Sequence, residues 1–365
     1  LNIYIILNRE VLHMKLKTIK KLTKLILKIV ISLSILCCIF MSLVFYCNLK
    51  PFKDLRTLWV TTAMTTFNHQ WLATMFISQS EIDRILNANK VVTTTAKTNT
   101  SKIKINHQSA QKNNDDPDPD ITPDLSKFSN SENISIIPIK GTTYIGKLMI
   151  VDNPSRIRLG TINNFGKNSV GLRLATMAKK YDAIAALNAS GFQDDNGTGS
   201  GGTPIGLVVR DGKIVYHDYN SQTFNIVGFD YSNRLLTGQF TLDDISKYNI
   251  RDAVSFGPAL IINGKPVEID GNGGFGLQPR SAIGQTVDGK VLLLEIDGRQ
   301  PLYSAGAYIT TVQSILMQYG AINACNLDGG SSTGMYYDGK IINRPCGPLG
   351  STGGRYIPTA FLVTN

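Results

Sequence analysis

Several kinds of chemistry are nearly missing from this chain. Of its 365 residues four are histidine (His13, His69, His107, His217), and they form no cluster. That argues against a histidine metal centre, and only His217 is placed for a serine-hydrolase triad, for which no Gly-x-Ser-x-Gly elbow exists. Cysteine is also scarce. Cys37, Cys38 and Cys47 lie in or beside an apolar run, which leaves Cys325 and Cys346 for the rest of the chain. Two cysteines exclude a disulfide-dense scaffold, and with no Cys-x-x-Cys spacing a zinc site is not expected. A bridge between residues 325 and 346 and a pair of free thiols are both open. No set of side chains suggests a metal, and no cofactor is expected.

Basic charge is absent where a nucleic-acid binder would carry it. The formal net charge is +10, but residues 1–60 hold ten Lys/Arg against two acids, so the remainder is close to balanced. No basic stripe interleaved with aromatics follows, and nucleic acid is excluded as a partner.

Charge is missing altogether from residues 29–47, a run rich in Ile, Leu, Val and Phe that is long enough to cross a hydrocarbon core as a helix. Lys15, Lys17, Lys20, Lys21, Lys24 and Lys28 precede it. The positive-inside bias then predicts a basic cytoplasmic segment over 1–28, a single transmembrane helix over 29–47, and everything after Lys50 outside the cell. A cleaved signal peptide is the rival, but Tyr46-Cys-Asn-Leu49 offers no small-x-small site, which favours an uncleaved anchor in the lipid bilayer. Met14, just before the basic run, is the expected start.

Residues 50–90 place apolar side chains at helical spacing and read as juxtamembrane amphipathic helices. Residues 91–130 fill with Thr, Asn, Lys, Ser and Asp, ending in Asp115-Asp-Pro-Asp-Pro-Asp120, and read as a disordered linker. The domain proper is residues 131–365. There, short apolar segments punctuated by Asp-Gly and Asn-Gly pairs at 211, 263, 288 and 338 predict strands at 134–139, 143–151, 183–187, 206–210, 213–217, 224–229, 260–262 and 291–297. Helices are expected at 169–180 and 310–319. The fold class is α+β, a mixed, strand-rich sheet domain with a few packed helices.

The richest segment is Ala324-Cys-Asn-Leu-Asp-Gly-Gly-Ser-Ser-Thr-Gly334. It sets one carboxylate, Asp328, beside Gly329 and Gly330, whose bare backbone lets N–H groups approach a ligand, and beside the donors Ser331 and Ser332. The plain alternative is an Asp-Gly turn. In Val291-Leu-Leu-Leu-Glu-Ile-Asp-Gly-Arg299, alternation puts Glu295 and Asp297 on one face, with Asp297 at the strand end where substrate and solvent meet. Asn188 and Asn326 each end an apolar segment before a glycine loop and suit hydroxyl recognition; Gly191 lies in the first of these loops. Arg280, Arg299, Arg344 and Arg355 flank glycine- or proline-rich turns, and their forks match phosphate oxygens. The spacing Gly197-x-Gly199-x-x-Gly202 imitates a dinucleotide fingerprint, but it leads into a strand instead of a helix and reads as a mobile loop.

With these segments in view, residues 134–365 resemble the phosphodiester glycosidases. The resemblance is carried by Ala186-Leu-Asn-Ala-Ser-Gly-Phe192, Gly206 with Asp211-Gly-Lys213, Ser255-Phe-Gly-Pro258, Pro279-Arg-Ser-Ala-Ile-Gly284, Asp297-Gly-Arg299, Asn326-Leu-Asp-Gly-Gly-Ser-Ser332 and Gly354-Arg355. The first motif usually reads Asn-Gly-Gly-Phe, and the glycine run after Asp328 is shorter than in many relatives. The resemblance implies hydrolysis of a sugar held through its anomeric carbon to a phosphodiester. Asp328 and Asp297 would then be the catalytic carboxylates. Asn188, Gly191, Arg280, Arg299, Asn326, Gly329, Gly330, Ser331, Ser332 and Arg355 would bind a glycan or phosphosugar. The expected role is an extracytoplasmic, membrane-anchored hydrolase of a cell-envelope or exopolysaccharide glycan; the alternative is a glycan-binding assembly protein that has lost turnover.

Overall fold

The computed structural model describes residues 2–66, 69–105, 129–130, 133–194, 198–347 and 353–365. Residues 1–59 and 60–365 are two compact units. In the first, Asn2–Tyr46 is one continuous helix, so the basic segment and the apolar run share a single rod. Within it Lys17–Tyr46 is long and apolar enough to cross a membrane. Trp59 packs edge-on against Phe45 at 5.7 Å, within the same unit.

The second unit contains three main sheets, and every strand pairing among its described residues is antiparallel. The largest has eight strands, in which Ile134–Lys140, Ile145–Val151, Val291–Ile296, Arg280–Thr286, Ala321–Leu327 and Ala259–Ile262 follow one another. A second sheet is built on Phe224–Asp230 and Ile250–Ser255, and a third on Ala183–Asn188 and Thr359–Thr364. One core fills the space between them: Met149, Ile283 and Leu293 from the first, Val227 and Phe229 from the second, Leu187 and Phe361 from the third. Each sheet's other face is closed by a helix. Ile309–Gln318 buries Ile309, Val312, Ile315 and Leu316 against the eight-stranded sheet, at roughly 1.5–3 kcal/mol for each such side chain. Leu174–Lys180 covers the third sheet and Leu242–Lys247 the second.

The helix expected over 169–180 starts only at Leu174, because Leu172–Arg173 pairs with Tyr356–Ile357 as a short ribbon. Cys325 and Cys346 are both free. Cys325 points into the central core, where burial lifts its thiol to about 12.

The segment 60–105 belongs to this unit. Buried Val60, Ile82, Ile85 and Ile103 contribute to it. Residues 91–105, which composition groups with the linker, run as an extended strap. Val92 donates its N–H to Glu268 O at 2.9 Å, Thr98 makes three hydrogen bonds with Thr237, donating two and accepting one, and Lys104 donates to Val287 O at 2.8 Å. Lys97 Nζ meets Asp244 Oδ2 at 2.6 Å over the ring of Phe240. The rest of the linker, 106–128, lies outside the described residues.

Candidate active site

Strand ends deliver the site. Register sets Arg280 opposite Ile296 and Ser281 opposite Leu327, so Arg280, Asp297 and Asp328 all leave the large sheet at one margin. Asp328 does not turn into a hairpin. The chain makes a short turn over Gly330–Ser332 and crosses to the third sheet, where Met335–Tyr337 pairs with Ala183–Asn188. Asn188, at the end of that strand, closes the gap: its Nδ2 donates to Asp328 O at 2.6 Å, while its Oδ1 accepts from Ser281 Oγ at 2.7 Å and Gly334 N at 3.1 Å.

The Asp328 carboxyl stands in a crowded loop although the residue keeps some exposure. Burial pushes it up to about 7, against the Ser332 hydroxyl, the Arg355 charge and the Gly329 N–H, which favour the ionised form. Such a group exchanges protons readily near neutrality.

Asp297 is different. Its Oδ1 accepts from Asn343 Nδ2 and from the Arg344 backbone N–H, both at 3.0 Å; its Oδ2 accepts from Tyr303 Oη at 3.0 Å and again from Arg344 N at 3.1 Å. Three donors, with the Arg344 N–H shared between both oxygens, thus engage the carboxylate. Burial still raises it. Below it on the same strand face Glu295 is fully buried, and neither of its oxygens has a hydrogen-bond partner. Burial and the charge of Asp297 raise it well above the ordinary value, and Lys147 Nζ at 3.9 Å offsets this in part.

The arginines divide by environment. Arg280 is 4% exposed and spends its donors on Ala307 O, Phe275 O and Gly276 O, at 3.1, 3.0 and 2.8 Å. Burial, then the charge of Arg299, lowers it to about 9. Arg299 is exposed, in a left-handed backbone conformation with φ 56°, and donates from Nε to Gln278 Oε1 at 2.6 Å. Its guanidinium lies over Gly330, where an added Cβ would stand 3.2 Å from Nη2. Arg355 makes a two-point pair with Asp194, one arm at 2.8 Å, and stacks on Phe192. Burial raises the Asp194 carboxyl, but Arg355 and the Gly199 N–H outweigh it and hold it below the usual range. Arg344 is exposed over the Tyr303 ring.

Asn326 donates from Nδ2 to Gly257 O at 3.0 Å, and its buried Oδ1 has no partner. Gly329 and Gly191 are there for close approach: a Cβ on the former would meet Pro279 O at 2.7 Å, on the latter the Phe256 ring at 2.9 Å. Gly191 also opens into a cleft of 630 Å³ lined by Lys90, Asn225, Phe256, Pro258 and Phe275, among others. Ser331 is partly exposed on the loop. The described part of the glycine run, 198–202, is tied in: Gly199 N donates to Asp194 Oδ1, Gly171 N to Ser200 O and Gly166 N to Gly202 O. Among the described residues no group of His, Cys, Asp and Glu suits a metal ion.

Asn188, Asp328, Ser332, Arg299 and Arg355 thus surround one loop, with Asp297 behind Arg299 and Arg280 turned toward backbone. Asp194, Gln278, Tyr303 and Asn343 escape the sequence reading. Only Asn343 had a local signal, since it precedes Arg344 and Pro345.

A strand-rich α+β domain whose glycine loops gather a neutral-range carboxyl, one exposed guanidinium and one half-buried one is the class defined by this geometry. The chain belongs to the phosphodiester glycosidase family, whose sequence profile matches residues 181–364. It is 34% identical over 178 residues to the SPbeta prophage-derived uncharacterized protein YomE of Bacillus subtilis (strain 168), a match covering 46% of this chain and 26% of that protein. The chain thus spans about a quarter of that relative. Among solved structures it is similar to the zebrafish N-acetylglucosamine-1-phosphodiester alpha-N-acetylglucosaminidase catalytic domain auto-inhibited by its pro-peptide. That likeness has a TM-score of 0.53 and 23% identity, covers 66% of this chain and 86% of the other, and is one of fold.

Proposed function

We propose that the chain is an extracytoplasmic glycosidase, held at the membrane by its N-terminal apolar helix, that hydrolyses sugar-1-phosphodiester bonds in a cell-envelope or exopolysaccharide glycan. The observation that carries this reading is the pairing of the Asp328 carboxyl, at about 7, with the exposed Arg299 guanidinium over the adjacent Gly330. In the reaction the bond between the anomeric carbon and the phosphoester oxygen breaks, and that oxygen leaves with the electron pair on the phosphate monoester. Such a leaving group needs positive charge more than a proton. Arg299 supplies the charge, in a fixed direction, where it develops.

Water adds to the anomeric carbon and gives up a proton. Ionised Asp328 either receives that proton directly or first bonds the sugar, the two routes open to a glycosidase carboxylate. Asp297, with both oxygens engaged by Tyr303, Asn343 and the Arg344 N–H, positions the Tyr303 and Asn343–Arg344 segments, and the role at the sugar falls to Asp328. Arg280 fixes the 275–276 and 307 carbonyls that wall the site. Arg355 holds the glycine run through Asp194 and adds positive charge near Asp328. The cleft beyond Gly191 has the size and mixed lining of a ligand site and takes the remainder of the glycan.

The test is release of reducing sugar when the full chain, in detergent, is incubated with a panel of sugar-1-phosphodiesters. Turnover of at least one supports the reading. Calorimetric binding of these compounds with no sugar released supports the non-catalytic assembly role instead.

A further inference from the structure

We infer that Gln278 is a positioning residue for Arg299, and that residues 62–65 are the fixed stop against which it is set. The inference rests on the reading of Arg299 as the group that meets phosphate. Gln278 is 3% exposed and both ends of its side-chain amide are used. Oε1 accepts from Arg299 Nε at 2.6 Å, while Nε2 donates to Thr62 O at 3.2 Å and to Thr65 Oγ1 at 3.1 Å. A guanidinium only donates and a backbone carbonyl only accepts, so this amide has one sensible orientation. Thr65 is set in turn, because its hydroxyl lies 3.0 Å from both Thr61 O and Thr62 O, the acceptors for its proton.

The surrounding backbone is shaped for this chain of contacts. At Gly276 a Cβ would fall 2.4–2.7 Å from Thr62 atoms, so only glycine lets residues 62–65 come this close. Gly306 packs on the Gln278 backbone, where a Cβ would lie 2.5 Å from its carbonyl carbon. Arg299 holds its left-handed φ with its N–H on Ala305 O at 3.1 Å. Left-handed backbone at a bulky non-glycine residue is uncommon and persists where the surroundings impose it. Arg299 is otherwise an exposed, long and flexible side chain. Gln278 fixes its Nε edge, and the rest of the guanidinium is shared among the Cys346 thiol, Gly330 and a ligand. Residues 62–65 are thereby part of the site.

The experiment is a double-mutant cycle in the full chain, in detergent, following kcat and KM on a sugar-1-phosphodiester together with the melting temperature. Gln278→Leu is expected to lower kcat/KM about tenfold, in the middle of the range for coupled contacting pairs, and to have almost no effect in an Arg299→Ala background. Gln278→Glu keeps the acceptor facing Arg299 but sets its second oxygen against Thr62 O in place of a donor, and is expected to recover only part of the loss. Thr65→Val, which leaves Gln278 Nε2 short of one acceptor, is expected to give a smaller loss that also vanishes without Arg299. If Arg299→Ala is impaired and Gln278→Leu lowers the rate equally in both backgrounds, Gln278 is merely structural and the inference is overturned. If Arg299→Ala alone keeps full turnover, the phosphate role of Arg299 falls, and the inference with it.

Discussion

Asn188 and Asp328, on different sheets and 140 residues apart, are joined by a 2.6 Å hydrogen bond from the Asn188 amide to the Asp328 carbonyl. The same amide accepts from Ser281 and Gly334, so one side chain ties the third sheet to the margin where the Asp328 loop begins. Asn188→Ala leaves three buried partners unmatched. At about 1–3 kcal/mol for each unsatisfied group, it is expected to cost about 3 kcal/mol or more and to lower activity by displacing Asp328. Urea melts of the two proteins check this.

Asp328→Asn gives opposite results for function and stability. Turnover is expected to fall by about a thousandfold or more, as when a glycosidase loses a reacting carboxylate. The Asp328 carboxyl titrates at about 7 when folded, above its ordinary 3.8, so folding is favoured by the protonated form. That contribution is complete below the unfolded value and is lost as pH rises through about 7. The neutral amide does not titrate, so Asp328→Asn is expected to melt higher than the parent at pH 8 and to narrow the gap at pH 5. Calorimetric scans at the two pH values measure it.

Asp297→Asn is expected to destabilise where Asp328→Asn does not. An amide offers an N–H₂ group to donors that now face an oxygen, and breaking such charged hydrogen bonds costs about 1.5–3 kcal/mol each. The Tyr303 phenol, raised to about 12 by burial and then by the Asp297 charge, should move toward its ordinary range in the variant. A spectrophotometric titration of the tyrosines reads that change.

Arg280 and Arg299 should separate stability from binding. Arg280→Met strands three buried carbonyls and is expected to lower the melting temperature sharply. Arg299→Met, which strands the single acceptor Gln278 Oε1, is expected to lower the melting temperature less and to lower kcat/KM for a sugar-1-phosphodiester. Paired melting and kinetic measurements decide between these roles.

Much of the fold was open to the sequence because its strands carry local marks. The Asp211-Gly, Asn263-Gly and Asp338-Gly turns all take positive φ at both positions, as primed hairpin turns require. Arg280–Thr286 shows no alternation. It is buried on both faces, and polar Gln285 is matched inside by Leu235 N, Asn233 O and Gly289 O. Leu235–Phe240 and Ile250–Ser255 were likewise missed, since each belongs to a strand pairing and not to a local period. The strap over 91–105 reads as polar linker because its hydrogen bonds run to distant backbone. At the site, Asp328 and Arg299 stood out through their glycine neighbours. Gln278, Asp194 and Tyr303 did not, because their partners lie on other elements; Arg355, for instance, is 161 residues from Asp194.

The strap has a practical consequence. A chain cut to residues 130–365 loses Ile82, Ile85, Thr98 and Ile103 from buried positions. Each apolar side chain so lost is worth roughly 1.5–3 kcal/mol, so residues 60–365 are expected to fold and the shorter piece to melt low or aggregate. Circular dichroism of the two fragments checks it.

The pH dependence of turnover bears most directly on Asp328. With a sugar-1-phosphodiester as substrate, kcat/KM for the full chain is expected to rise with a limb near pH 7 and level off above it, as ionised Asp328 becomes available. Asp328→Asn, folded by its melting curve, is expected to show neither the limb nor the rate. A variant that turns over as fast as the parent, with the limb unmoved, would contradict the assignment of Asp328.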